Sequence, residues 1–573
     1  MPVIPFGEYK PDVSDYEAGT GRNVLNVVPR ADGYGPFPSL TALSQSLGAQ
    51  CRGAIEATRT DGSVVVFAAT ATDLFLLNNT TMGWVRVSQG GVSYPAVSQP
   101  DQWRFVQFNS LVIAVQANVV PQVFDISSGS AFVNLAGNPP QARYIDVVGR
   151  FVVLTGLLTN PNRVQWSGLN DVNGPNSWTP GVNSSDYQDL ADGGFSRGIA
   201  GGETGVILQD TIIRRMIYLP GDPRVFQIEK IAEGIGIYGP LSLVRAGATV
   251  FFYSLRGFHR IDPGGPPVPI GRERIDRTFK DDLDINSLQM FQGVADPRSS
   301  RILWAYKSVN GAANQFDKAI CYDVVLDRFT PLKISGEILF QMAQPGVTLE
   351  ALDQLAPGAM AILGAANNGN GGVRIQVAST ANLPAYVSLS GILGTTEANG
   401  NWWAGVVDAT HFDLYAFPNL TGGPAFSHAY TSGGLVGGSL DAMTQSLDNF
   451  AVTIQPELAA FDGNHILNFF RGPAAEAVLE TAEQGTDGKR IKLKVGFRPV
   501  TDARVVYGSA SRRETQQQSA TAGNESLIHP VTGICNMLLD TRYSRLKCRI
   551  PAGTSWTFIN GVEPADLSAT GKR

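Results

Sequence analysis

Residues 61–69 read DGSVVVFAA, a polar turn followed by an unbroken run of apolar residues. A short run rich in β-branched and aromatic residues is typical of a strand that is buried on both faces. The pattern recurs five times, and the apolar cores start 40–55 residues apart. The further copies are NSLVIAVQ (109–116), VGRFVVLTG (148–156), ETGVILQD (203–210), GATVFFYS (247–254) and SSRILWAY (299–306).

Most of these copies are followed by a second strand-like segment, such as QVFDIS (122–127) or KAICYDVV (318–325). A four-stranded propeller blade takes about 40–50 residues, and it buries both faces against its neighbours. The repeat therefore predicts an all-β fold with a β-propeller-like platform of six or so blades. The uneven spacing leaves an array of β-sandwiches as an alternative, and the chain has no WD or kelch signature.

The composition agrees with an ordered, turn-rich β protein. The chain has 573 residues, of which 43% are hydrophobic and 16% charged, with 63 glycines and 34 prolines. A disordered chain would carry more charge and fewer apolar residues. A chain of this length exceeds one ordinary hydrophobic core, so we expect about two to four domains.

The charge balance excludes one class of function. There are 44 basic and 50 acidic residues, a net charge of −6, and no basic tail. A protein that grips the DNA backbone needs clustered Lys and Arg. We therefore predict no tight duplex binding, although a wall that is not basic suits a path along which DNA slides.

The four cysteines, Cys51, Cys321, Cys535 and Cys548, form no CxxC motif. They are predicted to be reduced, buried thiols rather than metal ligands. The first residues, MPVIPFGEYKPD, lack the basic and apolar regions of a signal peptide, so none is expected. No apolar run is long enough for a membrane helix.

The patterns predict four regions. Residues 9–40, rich in Pro, Gly, Asp and Asn, fit no amphipathic helix and favour an extended arm packed on a neighbour. The stretches TLEALDQL (348–355) and SLDAMTQSLD (439–448) look like one connection split by an insertion. The predicted regions are an extended N-terminal arm (1–48), the propeller-like platform (49–355), an inserted small β module (356–438), and a C-terminal β region that partly completes the platform (439–573).

The module opens with the glycine-rich AANNGNGG (365–372) and continues with strand patterns. Asn399-Gly400 predicts a tight hairpin. Trp402 and Trp403 are expected on opposite faces, one in the core and the other free for a contact. The predicted strands are VRIQVAST (373–380), YVSLSGI (386–392), NWWAGVVD (401–408), HFDLYAF (411–417) and AFSHAYTSGG (425–434).

The stretch GILGTTEANGNWWAGVVDATHFDLY (391–415) holds the strongest candidate for a catalytic cluster. His411, Asp408 and Asp413 could act together as acid and base. Asp408 and His411, however, fall in a predicted turn, where polar side chains usually bond the backbone. Asp413 alternates with apolar residues, which predicts the wet face of a strand. We therefore interpret these residues as structural.

Two other polar stretches of the sequence contain candidate functional residues. In GFHRIDPGG (257–265), His259 lies in an apolar strand and Asp262 begins a turn, which favours a structural histidine over a base. The mixed-charge run GRERIDRTFKDD (271–282) is typical of a solvated face, and it could equally form ion pairs between subunits.

No nucleophile elbow, zinc-protease, P-loop or calcium-loop motif occurs in the chain. We accordingly predict no catalytic, cofactor-binding or metal-binding residue, no cofactor, and no enzymatic activity. Glycoside hydrolases need only a pair of carboxylates, and among 50 acidic residues the sequence does not exclude such a pair.

The module resembles a small β module that recurs in phage tail proteins. The resemblance rests on GTTEANG (394–400), VVDATHFDL (406–414) and AYTSGG (429–434). It implies a place in a phage particle and no particular chemistry.

The two ends of the chain resemble one family. PDVSDY and NVVPRADGYGPFPSL, both within 9–40, are similar to the opening of head-to-tail hub and nozzle proteins of short-tailed phages, the tail tubular protein B-like or head-to-tail stabilisation proteins. GFRPVTDARVVYGSASRRE (496–514) and TGICNMLLDTRYSRLKCRIPAGTSWTFINGVE (532–563) are similar to their closing β domain. With the module, the resemblance covers about a third of the chain.

This resemblance implies a homohexameric ring that attaches below the portal and adaptor proteins, retains packaged DNA and forms the DNA ejection channel. Its partners would be copies of itself, portal, adaptor and other tail proteins, and genomic DNA that passes without specific binding. It would be made in the host cytoplasm and located in the virion tail. Two alternatives stay open: a receptor-binding tail protein that recognises a host surface glycan, and a tail-borne glycan hydrolase.

Overall fold

The chain divides into two compact units. The first comprises Met1–Leu77, Gly83–Ala343 and Pro456–Arg573, and the second comprises Asn78–Met82 and Gln344–Gln455. The structure is a computed structural model that describes residues 3–14, 19–79, 82–98, 100–344, 360–381, 383, 385–417, 419–438, 455–485 and 489–570. The segments 348–355 and 439–448, predicted to be two halves of one connection, lie outside the described residues.

The first unit contains seven four-stranded antiparallel sheets, which we number blades 1 to 7. Blade 1 consists of Gly53–Thr58, Val64–Ala69, Leu74–Leu77 and Trp84–Arg86, and blade 2 of Arg104–Phe108, Leu111–Gln116, Val119–Asp125 and Val133–Asn134. Blade 3 consists of Ala142–Val148, Phe151–Leu157, Arg163–Trp166 and Asp186–Asp189, and blade 4 of Ser196–Ala200, Thr204–Gln209, Ile212–Tyr218 and Phe226–Glu233. Blade 5 consists of Val244–Ala246, Thr249–Ser254, Gly257–Ile261 and Pro267–Pro269, and blade 6 of Gln292–Ala295, Arg301–Tyr306, Lys318–Asp323 and Arg328–Leu332. Blade 7 consists of Ile338–Met342, Glu457–Phe461, Ile466–Phe469 and Thr41–Ser46.

The blades form a closed ring. Ile338–Met342, the first strand of blade 7, lies against Gly53–Thr58, the first strand of blade 1. A central cavity of about 270 Å³ is lined by residues from the first strands of all seven blades. The predicted all-β, propeller-like fold is confirmed, and the six or so expected blades are seven. Blade 7 escaped the repeat because three separate segments of the chain supply its strands.

Packing between blades explains the unbroken apolar runs. Every residue of Val64–Ala69 is buried, because the strand has a neighbouring blade on each side. Phe67 packs edge-on against Phe124 and Phe132 of blade 2, with ring centroids 5.0 and 5.5 Å away. Burying a side chain of this size stabilises the fold by about 1.5–3 kcal/mol. The ring therefore holds together through the interfaces between blades.

The N-terminal region pairs within its own chain. The sequence favoured an extended arm packed on a neighbour, but Tyr34 pairs with Ile559, and Val24 pairs with Leu479. Both Val27 and Tyr34 are buried. Their apolar side chains need a core, and the C-terminal sheets supply one. Strand Thr41–Ser46 goes further and forms the outer edge of blade 7.

Residues from both ends of the chain build the sheets outside the ring, and their core is continuous with the apolar residues of blades 5 and 6. A six-stranded sheet contains Cys535–Asn536, Gly496–Thr501, Ile559–Pro564, Gly33–Pro36, Val27–Arg30 and Ile4–Pro5. A seven-stranded sheet contains Val24–Leu25, Ala477–Glu480, Tyr543–Ile550, Tyr507–Arg513, Thr521–Ala522, Gln484–Gly485 and Ser526–Leu527. Smaller sheets contain Leu539–Thr541, Arg490–Leu493 and Leu567–Thr570, and Glu8–Tyr9 and Thr20–Gly21.

The mixed-charge run 271–282 forms contacts inside the chain. It contains the α-helix Asp276–Asp282, whose first backbone N–H groups, from Arg277 and Thr278, donate to the Asp12 carboxylate at 2.7 and 2.9 Å. At the other end of the helix, Asp282 accepts from Lys318 at 2.8 Å. Asp282 therefore helps to fix the helix, whereas Arg272, Glu273, Lys280 and Asp281 are exposed, as expected of a solvated face. The 3-10 helices of the unit are Gln89–Gly91, Pro240–Ser242 and Ile285–Met290.

The second unit contains a closed six-stranded barrel. Its strands, in order around the barrel, are Met360–Asn367, Val373–Val377, His411–Tyr415, Gly400–Val406, Tyr386–Ser390 and Leu435–Gly438, and Thr396–Ala398 forms a 3-10 helix. The predicted strand at 425–434 is wrong, because that segment makes only isolated bridges, such as Leu393 with Ser432. The predicted tight hairpin is also wrong, because the Asn399 side chain bonds the backbone N–H and C=O of Ile392 across a longer loop.

Candidate functional site

The barrel does not bring His411, Asp408 and Asp413 together as a cluster. The His411 ring lies 2.9 Å from Asp408, which also accepts from the Thr410 backbone N–H at 2.8 Å. These bonds, the one from Thr410 first, lower the pKa of Asp408 to about 2. An acid held ionised in this way is a poor proton donor near neutral pH, so the pair stabilises a turn.

The position of Asp413 shows that one prediction from the sequence is wrong. The sequence placed it on the wet face of a strand, but it is buried and accepts two bonds from Arg374, at 2.7 and 3.0 Å. The two residues are directly opposite each other on neighbouring strands. A paired arginine lets a carboxylate occupy a buried position. Trp402 contacts the barrel core, whereas Trp403 packs on Tyr386 with ring centroids 5.0 Å apart.

His259 and Asp262 are also structural. His259 is buried and stacks on Phe252, and its Nδ1 lies 2.8 Å from the Gly257 carbonyl oxygen. That contact requires a hydrogen on Nδ1, so this nitrogen cannot take a proton from the Ser254 hydroxyl, 3.3 Å away. Burial lowers the pKa of His259. Asp262 instead pairs with Arg260 at 3.3 Å.

The cysteines and the acidic side chains that the structure describes form no metal-binding group. All four cysteines are buried and free, as predicted. Burial raises the pKa of Cys321 to about 12 and that of Cys535 to about 11, which keeps both thiols protonated. Across the described part of the chain, no group of three or more His, Cys, Asp or Glu side chains is placed to hold a metal ion. The helices found there are too short or too polar to cross a membrane.

A large concave site, a funnel, lies at one face of the propeller. Because successive strands are antiparallel, the loops that enter each first strand lie at the same face as those that join second and third strands. At this face, loops of blades 2 to 6 surround a cavity of about 1330 Å³, which we call the funnel. Its lining comes from residues 98, 100–102, 104, 143–144, 156, 158, 161, 195–197, 210–211, 234–238, 240–241, 254–256, 285–286 and 288–289.

The charges of the funnel are unbalanced. The Arg143 Nε atom lies 3.2 Å from Asp101, and the Arg197 Nε atom lies 2.7 Å from Asp210. Two further arginines have no ion-pair or hydrogen-bond partner for their guanidinium groups within the described ranges, which leaves an excess of two positive charges. The charged lining residues are Asp101, Asp210, Arg104, Arg143, Arg197 and Arg256.

Arg104 lies between the funnel and the central cavity, because it lines both. Burial lowers the pKa of its guanidinium, while Tyr144 and Asp146 act in the opposite direction. An arginine remains charged even in such surroundings. The base of the funnel therefore presents a fixed positive charge in a partly dehydrated place, where an anion would be bound more strongly than at an open surface.

Apolar side chains surround the opening of the funnel. Four are exposed to solvent: Leu158 at 44%, Phe195 at 46%, Leu255 at 67% and Ile285 at 57%. Leu158 and Leu255 lie in loops of blades 3 and 5, and Phe195 and Ile285 lie in the segments that enter blades 4 and 6. Sequence reasoning missed the funnel for this reason, since no local motif joins residues that only the ring brings together. The one sequence signal was a large apolar residue in a turn, as in Leu255-Arg256-Gly257.

Comparison with known proteins adds little about function. No family model and no curated protein matches the chain. Solved structures with similar folds include a quinoprotein alcohol dehydrogenase-like protein from Bacteroides thetaiotaomicron, at 11% identity over 51% of this chain and 68% of that one, with a TM-score of 0.31. BamB from Moraxella catarrhalis matches at 10% identity over 54% and 92%, with a TM-score of 0.28.

A third similar structure is the extracellular domain of a hybrid two-component system from B. thetaiotaomicron, at 9% identity over 59% of this chain, with a TM-score of 0.32. The chain spans 45% of the length of that domain. The seven-bladed ring itself is established by the strand pairing described above.

Proposed function

We propose that this chain is a structural, ring-forming hub or nozzle subunit of a phage tail. It attaches below the portal and adaptor proteins, retains packaged DNA and forms the channel through which the DNA leaves. One observation carries the proposal: the opening stretch 9–40 and the closing stretches 496–514 and 532–563, which separately resemble the same proteins, fold together in one set of sheets.

The contacts between these stretches are specific. Arg30 Nη1 donates to the Thr557 carbonyl oxygen at 3.0 Å, and Asn560 Nδ2 donates to Asp32 at 3.2 Å. Tyr34, buried in the shared core, pairs with Ile559. Two segments far apart in sequence that resemble one family and form one structural region support a common origin more strongly than either segment alone.

The site chemistry supports a role without catalysis. A glycoside hydrolase needs one carboxyl group that stays protonated beside a second, ionised one. In the funnel, Asp101 and Asp210 each face an arginine at 3.2 and 2.7 Å. Each of these carboxylates is paired, and the described lining of the funnel contains no other Asp or Glu. We accordingly propose that the chain is not an enzyme.

The surface of the C-terminal sheets offers an interface for assembly. Val531 and Leu538 are 87% and 73% exposed, high values for large apolar residues. Val495, also exposed, accepts a backbone bond from Met537, which places it beside Leu538. Val495 and Leu538 thus form an exposed apolar patch, and such patches mark protein contacts. A cyclic ring requires two complementary surfaces on each subunit, and we assign this patch to one of them.

Ring formation can be tested on the purified full chain. Mass photometry and negative-stain electron microscopy should show rings of about six copies. The double variant Val531→Asp and Leu538→Asp should shift the population to monomers, whereas Val325→Asp, at an equally exposed turn of blade 6, should not. Antibodies against the chain should label the tails of phage particles released from cells that encode it.

Four experimental results would contradict the proposed function or part of it. A chain that stays monomeric at every concentration and labels no particle would overturn the tail proposal. Turnover of a bacterial polysaccharide would favour the hydrolase, and specific signals on a glycan array would favour the receptor-binding alternative. Rings that bind duplex DNA tightly at low salt, with a steep salt dependence, would contradict passage of DNA without specific binding.

A further inference from the structure

The funnel combines two features that a solvated surface rarely combines. The guanidinium groups of Arg104 and Arg256 make no hydrogen bond or ion pair in the part of the chain that the structure describes, although Asp146 lies near Arg104. Arg256 is exposed at the opening. Around that opening lie exposed aliphatic side chains, including Leu255 next to Arg256. A ligand that fits must therefore carry negative charge and apolar groups close together.

The size of the funnel decides between small and large ligands. Sites for small molecules usually measure about 300–1,000 Å³, and the funnel is larger, at about 1330 Å³. It is also a concavity bounded by loops of five blades, which suits the end or loop of a chain better than a straight duplex. An inserted polypeptide segment fits both its volume and its enclosure.

The type of apolar residue decides between a peptide and a glycan. Sugar rings stack on flat aromatic faces, but three of the four exposed apolar residues of the rim are aliphatic: Leu158, Leu255 and Ile285. The aromatic one, Phe195, already has the Arg197 guanidinium 5.2 Å from its ring centroid. Aliphatic side chains offer no flat face to a sugar ring, but they gain free energy when other apolar side chains cover them. The rim therefore matches leucine, isoleucine or valine side chains of a polypeptide.

We propose that the funnel binds an acidic segment of a partner polypeptide, in which Asp or Glu residues stand next to aliphatic ones. The carboxylates would pair with Arg256 at the opening and Arg104 at the base, since arginine recognises carboxylates through two parallel hydrogen bonds. The aliphatic side chains would cover Leu255, Leu158 and Ile285. The inference concerns the funnel of a single subunit, so it stands whether or not the chain forms rings.

Selection from a library of displayed random peptides tests this inference. With the full chain as bait, enriched peptides should contain acidic residues beside Leu, Ile or Val. A fluorescently labelled copy of the most enriched peptide should bind Arg256→Glu and Leu255→Ser at least about tenfold more weakly than the unchanged chain, because these changes remove the charge pairing and the apolar contact.

Matched controls lie at the opposite face of the propeller. Arg150 is an exposed arginine in the turn between the first two strands of blade 3, and Val325 is an exposed valine in a turn of blade 6. Arg150→Glu and Val325→Ser should leave peptide binding unchanged. The inference is overturned if no acidic peptide is enriched, if enriched peptides bind all four variants equally, or if inorganic phosphate or a sulfated glycan fragment displaces the peptide completely at micromolar concentration.

Discussion

Glu337 and His465 form a contact of 2.7 Å, from Oε1 to Nδ1, at the place where the ring of blades closes. The other carboxylate oxygen of Glu337 accepts from the Cys51 backbone N–H at 2.8 Å. Glu337 precedes the first strand of blade 7, His465 lies in the turn between its second and third strands, and Cys51 leads into blade 1. The buried carboxylate of Glu337 thus joins blade 7, the last of the ring, to the segment that enters blade 1.

We predict that Glu337→Ala lowers the free energy of unfolding by about 2–4 kcal/mol, because it leaves a buried N–H and the histidine unpaired. Glu337→Gln should cost less, since its amide keeps one oxygen to accept from Cys51. Calorimetry of the full chain measures both changes. Glu203→Gln, at an exposed position, is the control, and an equal effect of all three variants would refute a special role for Glu337.

In the barrel, Arg374→Ala should be more damaging than Asp413→Asn. The first change leaves a carboxylate whose side chain is 8% exposed without its partner, whereas the second leaves an arginine that is 32% exposed and can reach water. We expect a loss of about 2–4 kcal/mol for the first and about half of that for the second. Calorimetric unfolding of the two variants checks this order, and the reverse order would contradict it.

The barrel should be removable without loss of the propeller. Met342 and Glu457 are directly opposite each other on paired strands of blade 7, so a two-residue turn can join them. A chain in which Asn-Gly replaces residues 343–456 should remain soluble and unfold cooperatively. Joining the same residues with Pro-Pro, which cannot form that turn, is the control. An insoluble Asn-Gly variant would show that the propeller depends on the second unit.

Asp276 should make the first unit less stable as the pH rises from about 4 to about 6. Burial, and then the nearby Asp12 carboxylate, raise the pKa of Asp276 to about 6. The folded chain therefore holds a proton that the unfolded chain releases, and this stabilisation, present below the unfolded pKa, is lost as pH passes the folded one. Its size is about 1–3 kcal/mol.

Asp276→Asn should abolish this dependence and stabilise the protein at pH 8 relative to the unchanged chain. Its amide oxygen can still accept from the Phe258 N–H, which lies 3.1 Å from the carboxylate. Asp281→Asn, at an exposed position of the same helix, should change nothing. Melting temperatures measured between pH 4 and pH 8 test this prediction, and a parallel pH profile of wild type and Asp276→Asn would refute it.

Tyr34 tests whether the N-terminal region belongs to the core. Its ring is buried, and its hydroxyl donates to the Gly7 carbonyl oxygen at 2.7 Å. We predict that Tyr34→Ala costs about 3–5 kcal/mol, whereas Val3→Ala, at an exposed position of the same region, costs under about 0.5 kcal/mol. Chemical unfolding measures both, and a Tyr34→Ala variant of unchanged stability would support the predicted arm that packs on a neighbour.

Local patterns predicted several elements correctly, and they failed where distant segments meet. The run at 61–69 indicated a doubly buried strand, and the strand lies between two blades as expected. Asp413 was placed on a wet face, because alternation along one strand does not reveal an arginine on the next. The pair Asp408 and His411 was correctly interpreted as part of a turn, since the His411 ring contacts the carboxylate of Asp408, three residues earlier in the chain.

The sequence by itself determined the class of fold, because the apolar runs and turns that define a blade are local and repeat at blade length. It also indicated that His259 is structural. Only the tertiary structure decided the number of blades and the existence of the funnel. Blade 7 joins strands from 41–46, 338–342 and 457–469, and the funnel joins loops of five blades. Closure of the ring creates both, and contacts between distant segments leave no periodic signal along the chain.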